Sequence, residues 1–110
     1  MNIQHKELAN GRWNELGLLS QMAHVGGEVE RSLKWKKKDN NDYCRKAVER
    51  ALELLDLTLA DPKNKSRLKE IARVREGLVD YFFGANQFAS TEKAWRSYFS
   101  QLTYASRRDC

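Results

Sequence analysis

Lys63, Lys65, Arg67, Lys69 and Arg73 all fall within the single stretch "DPKNKSRLKEIARVR", residues 61–75. Asp61 is a good N-cap and Pro62 suits the first helical position, so the stretch reads as the opening of a helix. Cations in a first turn face the positive end of the peptide dipoles, at a cost of about 0.3–1 kcal/mol each before their mutual repulsion. Stability alone would not choose them. A helix start with free N–H groups is an anion site, and Lys63 and Lys65 would strengthen it for phosphate. Lys65, Lys69 and Arg73 stand at i, i+4 and i+8, a like-charge row with steps of roughly 6 Å that matches the phosphate spacing of a nucleic-acid strand. The competing reading is a solvated face, partly offset by Asp61 and Glu70.

A second basic group comprises Lys34, Lys36, Lys37 and Lys38, with Arg45 and Lys46 close behind. The four lysines end a helical pattern, where the dipole favours cations, so a solvated helix end accounts for them. Trp35 among them is suited to stacking on a base or to packing over the helix end. Across the chain the formal charge is +5. Residues 34–50 carry seven cations against three carboxylates, and residues 63–75 carry six against one, so the excess is clustered. Arg107 and Arg108 add a third, smaller group. Clustered positive charge of this kind implies fast, salt-sensitive association with an anionic partner and little sequence specificity.

No catalytic constellation accompanies the cations. The chain has no GxxxxGK, no nucleophile elbow and no HExxH. His5 and His24 are too far apart for a local metal pair, and no Cys/His cluster is present. Cys44 lies inside a helical pattern and Cys110 is the last residue, a poor disulfide framework that fits free thiols in a reducing compartment. The expectation is a non-enzymatic protein without metal or cofactor.

The elements that must position these side chains follow from apolar periodicity. One domain spans residues 1–110, with helices over about 10–37, 41–60, 62–83 and 91–107. Leu18, Met22, Val25, Val29 and Leu33 mark the first; Tyr43, Ala47, Ala51, Leu54, Leu55 and Thr58 the second. Leu68, Ile71, Ala72, Leu78, Val79 and Phe82 face inward on the third, and Trp95, Tyr98, Phe99, Leu102 and Ala105 on the fourth. A short arm, "IQHKELA", precedes the first helix, and Gly84 ends the third. Short connections predict an all-α, antiparallel up-down-up-down four-helix bundle. In that topology the end of helix one meets the start of helix two at an upper pole. The start of helix three shares the lower pole with Arg107 and Arg108. The adjacent Gly26 and Gly27 cost about 1 kcal/mol each inside a helix and point to close approach of another helix. The apolar stripes on helices two and four are wide, which implies either a tightly four-cornered bundle or an outer face that meets a second copy of the chain. No run is long enough to span a bilayer and the start lacks a signal-peptide core, so the expected location is cytoplasmic.

The segment "MAHVGGEVERSLKWKKKDNNDYCRKAVERALELLDLTLA" resembles the middle of the small four-helix-bundle proteins encoded in large-subunit rRNA intervening sequences. Gly26, Gly27 and Glu28 supply the small-residue turn and acid, residues 37–43 the basic linker and aromatic helix start, and Ala47, Ala51, Glu53 and Leu54 the Ala-rich helix. The same superfamily includes the accessory variability determinants of diversity-generating retroelements, basic homopentamers that associate with a reverse transcriptase and its template RNA. The resemblance implies an oligomer, a pentamer by preference, acting beside a reverse transcriptase. Charge and periodicity on their own imply a basic helical bundle that binds RNA or DNA. The alternative is a helical adaptor that docks another protein without binding nucleic acid.

Overall fold

The computed structural model describes residues 11–108. The expected arm, His5 and Cys110 lie outside the described residues. The described chain is helical, with four α-helices: α1 Leu18–Lys37, α2 Asn41–Ala60, α3 Leu68–Phe83 and α4 Glu92–Arg108. Two short 3-10 helices, Arg12–Glu15 and Pro62–Arg67, precede α1 and α3. The arrangement is a bundle in which α1 packs on both α2 and α4, and α3 packs on α2.

The first helix is shorter than its sequence pattern. Gly11 adopts φ 106°, a left-handed conformation that suits a residue without Cβ, and Leu16 and Gly17 are extended. The break turns Trp13 back into the core, where it is 1 % exposed and its indole Nε1–H donates to Thr58 Oγ1 at 3.1 Å. From Leu18 the pattern holds: Met22, Val25, Val29 and Leu33 form one buried face at spacings of three and four. The α1–α2 turn passes through Asp39 in the left-handed region, and Asn40 caps α2 by accepting from Tyr43 N–H at 3.1 Å.

The core joins Trp13, Val25, Val29, Leu54, Leu55, Ile71, Leu78 and Phe99. Two large residues assigned to it by periodicity are exposed. Tyr43 is half exposed at 49 % and Leu68 is exposed at 39 %, because each sits at a helix end with no neighbouring helix to cover it. On α4 only Phe99 is fully buried, while Trp95, Tyr98 and Leu102 pack partly against the core.

The paired glycines divide in role. A Cβ on Gly26 would lie 2.9 Å from Phe99 Cβ, so its absence lets α1 and α4 approach within the chain. A Cβ on Gly27 would meet nothing within 4 Å. Gly77 plays the part of Gly26 on α3, where the Trp95 ring would stand 3.1 Å from an added Cβ.

Ion pairs and ring contacts link the helices along their length. Arg50 meets Glu28 at 3.8 Å between α2 and α1, and the Trp35 and Tyr43 rings meet edge-on at 4.8 Å. Arg96 pairs with Glu30 at 2.9 Å between α4 and α1, with Ser20 and Ser106 hydroxyls 3.4 Å apart further along. Arg75 reaches Asp56 at 2.7 Å between α3 and α2. No described helix is long and apolar enough to cross a membrane.

Candidate nucleic-acid interface

The segment expected to open helix three is instead a 3-10 helix, Pro62–Arg67, and α3 starts only at Leu68. Lys63 and Lys65 therefore precede the α-helical start and do not sit in its first turn. The row Lys65, Lys69, Arg73 is likewise interrupted, since a 3-10 turn holds three residues and not 3.6. The cause is a buried polar network. Gln21, fully buried, donates from Nε2 to Asp61 Oδ2 at 2.8 Å and to the Trp13 carbonyl at 3.1 Å. Asn64, 1 % exposed, donates to Gln21 Oε1 at 2.8 Å and to the Thr58 carbonyl at 3.0 Å. Pulling Asn64 inward to satisfy these groups tightens the turn after Asp61.

Two of the five lower-pole cations belong to the protein's own carboxylates. Lys63 ion-pairs with the buried Asp61 and donates to the Asn14 carbonyl at 2.8 Å. Burial works against ionising Asp61, but the hydrogen bonds from Lys63 and Gln21 outweigh it and hold the carboxyl below its ordinary value of 3.8. Arg67 forks onto Glu70 at 2.7 and 3.0 Å. Lys65, Lys69 and Arg73 are exposed and make no ion pair among the described residues. Arg107 lies beside Ser20, Ala23 and His24 of α1 and Arg108 is exposed, both at the favourable end of α4.

The upper pole has a different chemistry. Lys36 Nζ lies 4.0 Å from the centre of the Tyr81 ring and 5.7 Å from that of Phe82. Lys38 stands 5.3 Å from Trp35, and Lys46 5.6 Å from Tyr43. Three helices converge here: the end of α1, the start of α2 and the end of α3. Arg45 meets Asp42 at a loose 3.6 Å, both well exposed, while Lys34 and Lys37 are exposed and make no ion pair among the described residues. Lys36 also acts on Cys44, whose thiol pKa is raised by burial, with the lysine's charge opposing. That thiol is protonated at neutral pH and a poor nucleophile.

An ammonium over an exposed ring gains about 0.5–1 kcal/mol and keeps its full charge. A carboxylate partner would cancel that charge; a ring does not. A phosphate can therefore draw the lysine off and leave the ring face to a base, worth about 1–3 kcal/mol in stacking. Trp35 stands among lysines in the sequence, Tyr43 falls on the apolar stripe of its helix yet is half exposed, and nothing in a linear pattern places Tyr81 under Lys36.

A third feature lies between α3 and the loop that follows it. The loop over residues 84–91 is braced by Asp80, whose carboxylate accepts from Gln87 N–H at 2.8 Å and Phe88 N–H at 3.0 Å. Asn86 and Ser90 exchange two further hydrogen bonds at 2.9 and 3.0 Å. This bracing holds Phe88 outward, 64 % exposed, above a cavity of about 370 Å³ that Trp95 and Gly77 also line. The Trp95 Nε1–H is shielded from solvent and meets no acceptor among the described residues, an omission that costs about 1–3 kcal/mol. Among the described residues no three His, Cys, Asp or Glu side chains gather as metal ligands. Comparison with protein-family models, with curated proteins and with solved structures finds no match to this chain.

Proposed function

We propose that the chain is a non-enzymatic accessory protein that binds single-stranded RNA or DNA through its upper pole. The observation that carries this reading is the set of Lys36, Lys38 and Lys46 ammoniums resting on aromatic rings and not on carboxylates. Lys34 and Lys37 widen the positive field, and Trp35, Tyr43, Tyr81 and Phe82 offer faces for stacking. The lower pole contributes Lys65 and Lys69 as a weaker, purely electrostatic flank.

In this reading the bundle runs up-down-up-down. The pairing of Ser20 with Ser106 and of Glu30 with Arg96 supports opposed directions for α1 and α4. The resemblance to the retroelement superfamily extends the proposal to a cytoplasmic homo-oligomer, a pentamer by preference, that assists a reverse transcriptase and its template RNA. A helical adaptor for another protein is the second reading. It draws on the open groove between α1 and α4, where Gly27 leaves space and Tyr104 is 66 % exposed.

A salt titration separates the two. Binding to generic single-stranded RNA and DNA is expected to fall steeply, log affinity against log salt giving a slope of about −0.7 per neutralised phosphate. Absence of binding at low salt to either nucleic acid overturns the first reading and leaves the second.

A further inference from the structure

The cavity between α3 and the loop over residues 84–91 is walled by groups that the fold leaves unused. Arg73 and Glu76 both line it, three residues apart on α3, yet they form no ion pair with each other or with any other described residue. Trp95 lines it with its ring, whose benzo edge lies against Gly77. Phe88 stands at its mouth, and an exposed phenyl ring on a loop braced by side-chain and backbone hydrogen bonds has no packing role. Bracing fixes the ring's position in advance, which lowers the ordering cost of anything that stacks on it.

Three of these groups ask for different things from one occupant. Arg73 needs an anion, Glu76 needs an N–H donor, and Phe88 needs a flat ring. A nucleotide carries all three in one unit: phosphate, ring N–H groups and a planar base. The volume of about 370 Å³ is ample for one base and too small for a stretch of stacked strand.

We propose that this cavity is a pocket for one unstacked base of a bound strand, with Arg73 on the adjoining phosphate and Phe88 stacked on the base. The inference deepens the nucleic-acid reading and rests on it. Tyr81 lies one helical turn beyond Gly77 on α3, so a strand leaving the lysine-covered rings reaches the pocket within a short distance. Glu76 gives the pocket a preference for bases with N–H groups on the Watson–Crick edge, guanine above all, because a carboxylate accepts and does not donate.

The Trp95 indole resonance reports on the pocket directly, with the buried Trp13 indole as internal reference. GMP titrated into the intact chain is expected to shift the Trp95 signal and leave buried Trp13 unmoved. Phe88→Ala and Arg73→Gln, both at exposed side chains, are expected to weaken that response about fivefold or more with the fold unchanged. If GMP leaves the Trp95 signal still while oligonucleotides bind in a salt-dependent way, the pocket inference fails and the nucleic-acid reading stands. If oligonucleotides also fail to bind at low salt, both fail. A Trp95 response to an aromatic peptide with a free carboxylate, and none to GMP, makes the cavity a peptide site and overturns the proposal.

Discussion

The two basic ends of this bundle hold part of their charge in different ways. At the lower pole Lys63 is held by Asp61 and Arg67 by Glu70, and the first of these pairs anchors a buried network of Gln21, Asn64, Thr58 and Trp13. At the upper pole Lys36, Lys38 and Lys46 lean on aromatic rings, and no carboxylate neutralises them among the described residues. Counting charge along a sequence treats these ends as equal. What distinguishes them is the partner: a carboxylate removes a cation from the external field, whereas a ring holds it loosely and leaves it available.

The contrast is sharpest between two tryptophans. Trp13 is sealed under the lower pole with its N–H on Thr58, while Trp35 is part-exposed beside Lys38 at the upper. Trp13→Ala is expected to cost about 3–5 kcal/mol in chemical denaturation, and Trp35→Ala no more than about 1 kcal/mol. Equal costs would mean that both ends are structural. Next in size, Asp61→Ala removes the acceptor shared by Gln21 and Lys63 and is expected to cost about 1.5–3 kcal/mol.

The same carboxylate gives a pH signature. Its folded pKa lies below the ordinary 3.8, so its contribution is full above the unfolded value and fades as pH falls through the folded one. Denaturation midpoints followed below pH 5 are expected to drop more steeply for the native chain than for Asp61→Asn. Identical acid profiles would show that Lys63 and Gln21 do not favour the ionised form. The smallest effect belongs to Arg67→Ala: its pair with Glu70 is half exposed, and exposed pairs of this kind contribute about 0.5 kcal/mol or less.

The four helices were legible because their apolar residues recur at three and four over sixteen or more positions, a signal that survives local exceptions. What failed to show was set by polar groups with no period. Asn64 sits in "PKNKSR", a run that reads as solvated, yet it is nearly fully buried because Gln21 and Thr58 supply its partners from elsewhere in the chain. Trp13 lies between two glycines in a stretch without periodicity, and its burial depends on a fold-back tied by Thr58 and Gln21 from elsewhere in the chain. Tyr43 and Leu68 obeyed the helical period but sit at helix ends, where a stripe has no neighbour to cover it. At the candidate site the lysines were visible from composition; the rings beneath them come from three helices and become a surface only when the bundle assembles.

Charge reversal at each end, measured side by side, tests the central claim most directly. Lys36→Glu/Lys38→Glu/Lys46→Glu and Lys65→Glu/Lys69→Glu would be compared with the unaltered chain for binding to one single-stranded RNA across a salt series, with helicity checked by circular dichroism. The upper-pole variant is expected to stay folded, lose more than about tenfold in affinity at low salt and show a salt slope shallower by about 2, three contacts at roughly 0.7 each. The lower-pole variant is expected to lose about two- to threefold. Equal losses, or a larger loss from the lower pole, would contradict the account.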